Sequence, residues 1–326
     1  MYEQIRLQQL RKAYSTQGWA MLIYYGILNA AVMLIMILDG IAIGFTMGMT
    51  GQPMDEERLM EKLMADSGWG YFIAMGVGLL ILLLWKKPRF CFGTIWKPGR
   101  TMKVGSFFAI FAIFTSAQLG AQLLYMLLEF LFNQAGLSIS QSMESAAGSM
   151  DSLNMFFYVG IGAPVTEELL FRGLVLRSIE PYGKKFAIFA SALMFGLYHG
   201  NIIQIPFAFA VGLVLAYVTV EYNIGWAILL HTFNNLILSD TMTRLTAHLP
   251  QPWPDLSFWI LIIGCTVAAA IILLVKRRQI MLWLRRYQDD PLCVKAFWSA
   301  PGIITLVVIL SVMTAFSTVT MITAVG

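Results

Sequence analysis

Long apolar runs alternate along the chain with short polar connections, many of them basic. A helix needs about 18–20 apolar residues to cross ~30 Å of hydrocarbon. On that criterion nine crossing segments are predicted, at roughly Trp19–Phe45, Trp69–Trp85, Val104–Phe132, Met155–Ile179, Phe186–His199, Ile202–Val220, Ile224–Ser239, Leu256–Val275 and Ile303–Val325. The fifth is short for an independent span and is expected inside the bundle. No internal repeat or low-complexity linker divides the sequence. The pattern predicts an all-α fold, a polytopic membrane helix bundle with about eight or nine transmembrane helices around a buried polar chamber. It forms one membrane domain over residues 1–326, with N-terminal helices at 19–132, a catalytic core at about 151–239 and C-terminal helices at 256–325.

Composition supports this reading. Hydrophobic residues make up 58% of the chain and charged ones 12%, against about 25% charged in soluble domains. Cys91, Cys265 and Cys293 have no CxxC spacing, so no disulfide framework or cysteine-zinc site is implied. The net charge of +4 does not point to nucleic acid, because the basic residues flank apolar segments. With the N-terminus inside, all but Arg58, Lys62 and Arg244 of the 22 Lys and Arg residues fall on the inner side. That bias predicts a multi-pass protein of the cell membrane with a cytoplasmic N-terminus. The first run is too long for a removable signal peptide and lacks a small-residue cleavage site, so it is expected to stay as an anchor. Lys86–Lys103 and Gln279–Tyr287 mix basic and aromatic residues and are expected at the headgroup surface. A loop with Asp55, Glu56, Glu57, Glu61 and Asp66 reads as a solvated outer face, and His248 as surface.

Ionisable groups in hydrocarbon cost several kcal/mol and need a reason. Asp39 and Glu129 are placed near outer helix ends, and Gln118 and Gln122 are assigned to helix–helix hydrogen bonding. The fourth to seventh segments are different. They carry APVTEELLFRG (Ala163–Gly173), FGLYHG (Phe195–Gly200) and HTFNN (His231–Asn235), including two of the three histidines. At ~1.5 Å rise per residue, Glu167, His199, His231 and Asn235 all lie ~12–21 Å from the inner ends of their segments, one central slab. Glu168 and Arg172 are four apart with the acid first, the favoured order for a helical ion pair. Glu167 is rotated ~100° away from Glu168. His231 and Asn235, also four apart, project from one face. Pro164 removes a backbone donor and should kink or break its helix, which at this depth is tolerated beside a cavity.

A carboxylate, two imidazoles and an amide are the parts of a hydrolytic site: a Glu or His can take a proton from water, and a His and an Asn can donate to an oxyanion. The same side chains also offer a zinc set with an open position. No HExxH, GxSxG or P-loop sequence occurs.

The three motifs, in order on successive apolar segments, resemble EExxxR, FxxxH and HxxxN of the CAAX-protease and bacteriocin-processing (CPBP, Abi/Rce1-like) family of intramembrane proteases. The resemblance covers Ala163 to Asn235. It implies that Glu167 and His199 activate the attacking water, that His231 and Asn235 stabilise the oxyanion, and that Glu168 and Arg172 hold the site together. The chain is then an endopeptidase acting on a peptide or membrane-anchored protein, with bacteriocin processing among the family's roles. A glutamate-dependent mechanism without metal is preferred, since water, base and oxyanion roles are all filled. If zinc binds, its ligands would be Glu167, His199 and His231. Expected partners are a peptide or protein substrate and membrane lipid, with no nucleic acid and an unspecified oligomeric state. Two other readings compete: a non-proteolytic bacteriocin-immunity or scaffold protein of the same fold, and a transporter using Glu167 or Glu168 as proton carrier. The absence of repeat halves argues against the transporter.

Overall fold

A computed structural model describes residues 1–50, 56–147, 152–236 and 245–324. Apolar periodicity at membrane length leaves the backbone only one way to satisfy itself, and the described residues are almost entirely helical. In chain order the helices are α1 (Tyr2–Thr50), α2 (Glu56–Trp85), α3 (Val104–Asn133) and the short α4 (Ser140–Ala147). A composite helical run, α5 (153–179), follows, then α6 (Lys184–Tyr198), α7 (Gln204–Glu221) and α8 (Ile224–Phe233). The last three are α9 (Trp253–Arg286), α10 (Pro291–Trp298) and α11 (Pro301–Thr320). A two-residue strand β1 (Leu137–Ser138) pairs antiparallel with β2 (Thr323–Ala324).

The protein is an all-α, multi-pass membrane helix bundle. Among the described residues six helices are long and apolar enough to cross a bilayer: α1, α2 from Gly68, α3, α7, α9 and α11. The three segments that fall short, α5, α6 and α8, carry the motifs. The run α5 is interrupted by π turns, and α6 has 15 residues, most of them buried, as its shortness suggested. The α8 helix ends at Phe233 and passes into a π turn through Leu236; Ser239, assigned to this segment from sequence, lies outside the described residues. Hydrophobic residues such as Ile37, Ile41, Phe45, Leu84, Leu274 and Val312 are exposed on the long helices. That is the surface hydrocarbon would cover.

Several boundaries differ from the apolar runs. The first helix begins 17 residues before Trp19, because Leu10, Tyr14, Gln17 and Met21 form a buried stripe at helical spacing. It packs on α10 and α11. Where α1 meets α11 the backbones nearly touch: a Cβ on Gly302 would lie 2.1 Å from the Ser15 carbonyl oxygen. The stretch from Glu56 to Asp66, expected as a loop, is the first part of α2; Asp55 lies outside the described residues. At the other end of the chain, α9 runs unbroken through Gln279–Arg286 instead of ending at Val275. This basic-aromatic end is docked: Trp283 Nε1 donates to Glu221 Oε1 at 2.9 Å, and Arg100 pairs with Glu221 Oε2 at 2.8 Å. Glu180 similarly holds Arg177 at 2.7 Å and Lys97 at 3.6 Å. Glu129, placed near a helix end from sequence, accepts from the Ser138 hydroxyl and the Ile139 N–H, and His248 is exposed.

The core centres on α6 and the second half of α5, where Phe171, Leu174, Leu176, Ala187, Ala190, Met194 and Phe195 are buried, with Leu215 of α7 packed among them. Small residues set the spacing. A Cβ on Gly196 would meet the Ile205 carbonyl oxygen at 2.9 Å, so α6 and α7 approach closely only because it is absent.

Candidate functional site

The EExxxR motif sits in α5, whose hydrogen-bond register slips twice. Residues Tyr158–Gly162 and Glu168–Leu176 are π-helical, and Ala163–Glu167 between them is α-helical with Pro164 in its first turn. Pro164 therefore does not break the helix. The wider π turn accommodates the missing N–H and steric bulk that an α turn could not. Local slips of this kind turn consecutive side chains to new directions, and here they separate the two acids. Glu168 is fully buried, while the Glu167 side chain is 27% exposed.

Glu168 is the hub. Its Oε1 lies 3.1 Å from Arg172 Nη1 and 3.0 Å from His231 Nδ1. The i,i+4 pair expected from sequence is thus present with both side chains at 0% exposure. Arg172 also donates from Nη2 to the Gly212 carbonyl at 3.1 Å, and its guanidinium lies 4.3 Å from the centre of the Phe195 ring. Two charges out of water are tolerated only with such compensation. Phe195 meets His199 and His231 edge-on, at centroid distances of 4.8 and 5.7 Å. One aromatic ring therefore fixes both imidazoles and the arginine.

Glu167 and His199 face a common cavity of about 220 Å³ together with Tyr25, Leu28, Asn29, Val32, Tyr71 and Tyr198. The ring of His199 is held by a 2.8 Å contact from Nδ1 to the Phe195 carbonyl. A carbonyl only accepts, so Nδ1 carries hydrogen and Nε2 is the ring's basic position in the neutral form. His231 bridges the acids, with Nδ1 on Glu168 and Nε2 at 3.8 Å from Glu167 Oε2. The structure thus gathers Glu167, Glu168, Arg172, His199 and His231. Asn235 is placed differently. Its Nδ2 donates to the Val159 carbonyl at 2.9 Å, and its Oδ1 accepts from Asn234 Nδ2 at 3.1 Å. Neither it nor His231 lines the cavity.

For the zinc alternative, a metal needs ligands converging on one point. Among the described residues no three His, Cys, Asp or Glu side chains form a group that could hold an ion. Each imidazole has Nδ1 bonded, His231 to Glu168 and His199 to the Phe195 carbonyl, which leaves Nε2 open on both rings as metal-ligating histidines do.

Sequence reasoning missed the cavity wall contributed by α1 and α2. Asn29 was a readable signal, an amide in the middle of an apolar run four residues after Tyr25. Tyr71 and Tyr198 gave none, because a tyrosine in a membrane segment is usually packing. Tyr198 is pinned edge-on by Tyr25 and Phe171, at 5.2 and 5.3 Å.

Residues 149–237 match the family model described as type II CAAX prenyl endopeptidase Rce1-like. The matched stretch contains all three motifs, and it is the family that they resemble. No curated protein and no solved structure gave a significant match to the chain.

Proposed function

We propose that this protein is an intramembrane endopeptidase of the CAAX type, hydrolysing a peptide bond in a peptide or membrane-anchored protein. The observation that carries the reading is the pairing of a partly exposed Glu167 with His199 on one cavity, braced from behind by buried Glu168, Arg172 and His231. The Rce1-like match over the same residues supports it.

In this reading the Glu167 carboxylate accepts a proton from a water molecule held between it and His199 Nε2. The water oxygen bonds to the scissile carbonyl carbon, and the carbonyl electrons move onto oxygen. The oxyanion is met by His231 Nε2–H, which does not line the cavity in the free protein but lies 3.8 Å from Glu167 Oε2 at its edge. To donate there and to Glu168 at once, the ring must carry both protons, and the Glu168 carboxylate and the oxyanion itself compensate that charge while Glu167 holds the proton taken from water. On collapse the C–N bond breaks, and the proton held by Glu167 passes to the leaving amine. No step requires a metal. The N-terminus faces the cytoplasm in this account, on the distribution of Lys and Arg, and the protein resides in the cell membrane.

The test is a cleavage assay on purified protein in liposomes, with a quenched fluorescent peptide carrying an S-farnesyl cysteine three residues from its end and with its unmodified form. Cleavage of either peptide should fall at least about 1,000-fold in Glu167→Gln, and the Glu167→Gln protein should melt like wild type. Cleavage that survives Glu167→Gln would overturn the mechanism.

A further inference from the structure

The π turn before Glu167 leaves one main-chain carbonyl without a main-chain donor. At its end the Ala163 N–H bonds to the Tyr158 carbonyl, the i→i−5 register. The next bond in that register would run from residue 164 to Val159, and residue 164 is proline. In the α register the donor to Val159 would be Ala163, which is already committed to Tyr158. An unserved carbonyl at membrane depth is costly, because no solvent replaces the partner.

Asn235 supplies the missing bond: its Nδ2 lies 2.9 Å from the Val159 oxygen. The amide orientation is fixed from the other side, since Oδ1 accepts from Asn234 Nδ2. A flipped amide would set oxygen against oxygen at Val159. The approach also depends on Gly160, where a Cβ would lie 2.3 Å from the Leu236 side chain. Glycine there lets the Leu236 side chain lie directly against α5.

We infer that Asn235 is a positioning residue: it takes the place of the N–H that Pro164 lacks and so fixes the π turn that aims Glu167 into the cavity. This rests on the proteolytic reading above and changes what Asn235 does within it. The end of α8 then clamps α5 at two points, His231 on Glu168 and Asn235 on Val159, with Glu167 between them. A displaced general base is expensive, since a misplacement of about 1 Å can cost about 100-fold in rate.

The experiment is a double-substitution cycle read in membranes of cells making wild type, Asn235→Ala, Pro164→Ala or the double variant, each at matched abundance. The readout is the rate of formation of those new peptide N-termini that Glu167→Gln abolishes. Asn235→Ala should slow them about tenfold or more in the Pro164 protein. With an alanine N–H at position 164 able to serve Val159, the same substitution should cost no more than about threefold. Equal losses in both backgrounds would overturn the inference and leave Asn235 as a direct oxyanion donor. A second measurement does not depend on Pro164→Ala folding: hydrogen exchange of residues 158–167 should quicken in Asn235→Ala. Unchanged exchange with cleavage lost would also overturn it. If no terminus depends on Glu167, the proteolytic reading itself fails, an outcome distinct from either of these.

Discussion

Replacing Glu168 with glutamine tests whether the buried pair organises the site. The substitution keeps size and shape but removes the negative charge 3.1 Å from Arg172 Nη1. Arg172 would keep only its bond to Gly212 and the Phe195 ring, with no exposed surface through which to recruit water. Removing one member of a buried pair costs about 3–5 kcal/mol, because the stranded charge keeps its desolvation penalty. That is a large share of a typical ~5–15 kcal/mol stability. The His231 contact contributes less to the loss, since a glutamine oxygen still accepts from Nδ1. The Glu168→Met, Arg172→Met double variant removes both charges, strands the His231 N–H at about 1–3 kcal/mol and takes the Arg172 donor from the Gly212 carbonyl. It should therefore be more stable than Glu168→Gln while remaining inactive. Reversible unfolding in mixed micelles, followed by circular dichroism, measures all three proteins. The reasoning is refuted if Glu168→Gln lies within the ~0–1 kcal/mol of a solvated pair, or if the double variant is the least stable.

Three further outcomes follow from the packing. Tyr198 carries a buried hydroxyl with no hydrogen-bond partner among the described residues, so Tyr198→Phe should be neutral or stabilising by about 1–3 kcal/mol in the same unfolding assay; a clear loss would reveal a partner for that hydroxyl. Gly302→Ala should cost about 1–3 kcal/mol or more by forcing α1 and α11 apart, and wild-type melting would show that the contact is not close. Burial pushes the Cys293 thiol up from its ordinary pKa, and its sulfur lies 2.6 Å from the Tyr14 hydroxyl. Thiolate is the reactive form, so maleimide should label Cys293 in folded protein more slowly than in unfolded protein at neutral pH; equal rates would contradict the burial.

Much of this architecture was legible as pattern. Apolar length located α3 and α7 almost to the residue, and the acid-first spacing of Glu168 and Arg172 announced their pair. The limits were physical. Apolar length cannot see a helix continuing through polar residues, as α1 does before Trp19 and α9 after Val275, because docking rather than hydropathy holds those turns. Nor does side-chain periodicity reveal a register slip. The 100° rotation assumed between Glu167 and Glu168 belongs to an α-helix, whereas Glu168 opens a nine-residue π stretch. Pro164 signalled a disturbance at the right place but not its form. Asn235 could be assigned to a face from its spacing with His231, yet its partner on α5 depends on three-dimensional closeness that Gly160 permits.

The most direct measurement adds purified wild-type or Glu167→Gln protein to membranes from cells lacking it and compares the new peptide N-termini that form. A defined set of termini generated by wild type and absent with Glu167→Gln is the predicted result, and it would name the substrates. Identical termini with both proteins, each folded and inserted, would contradict the claim that Glu167 activates water for peptide hydrolysis.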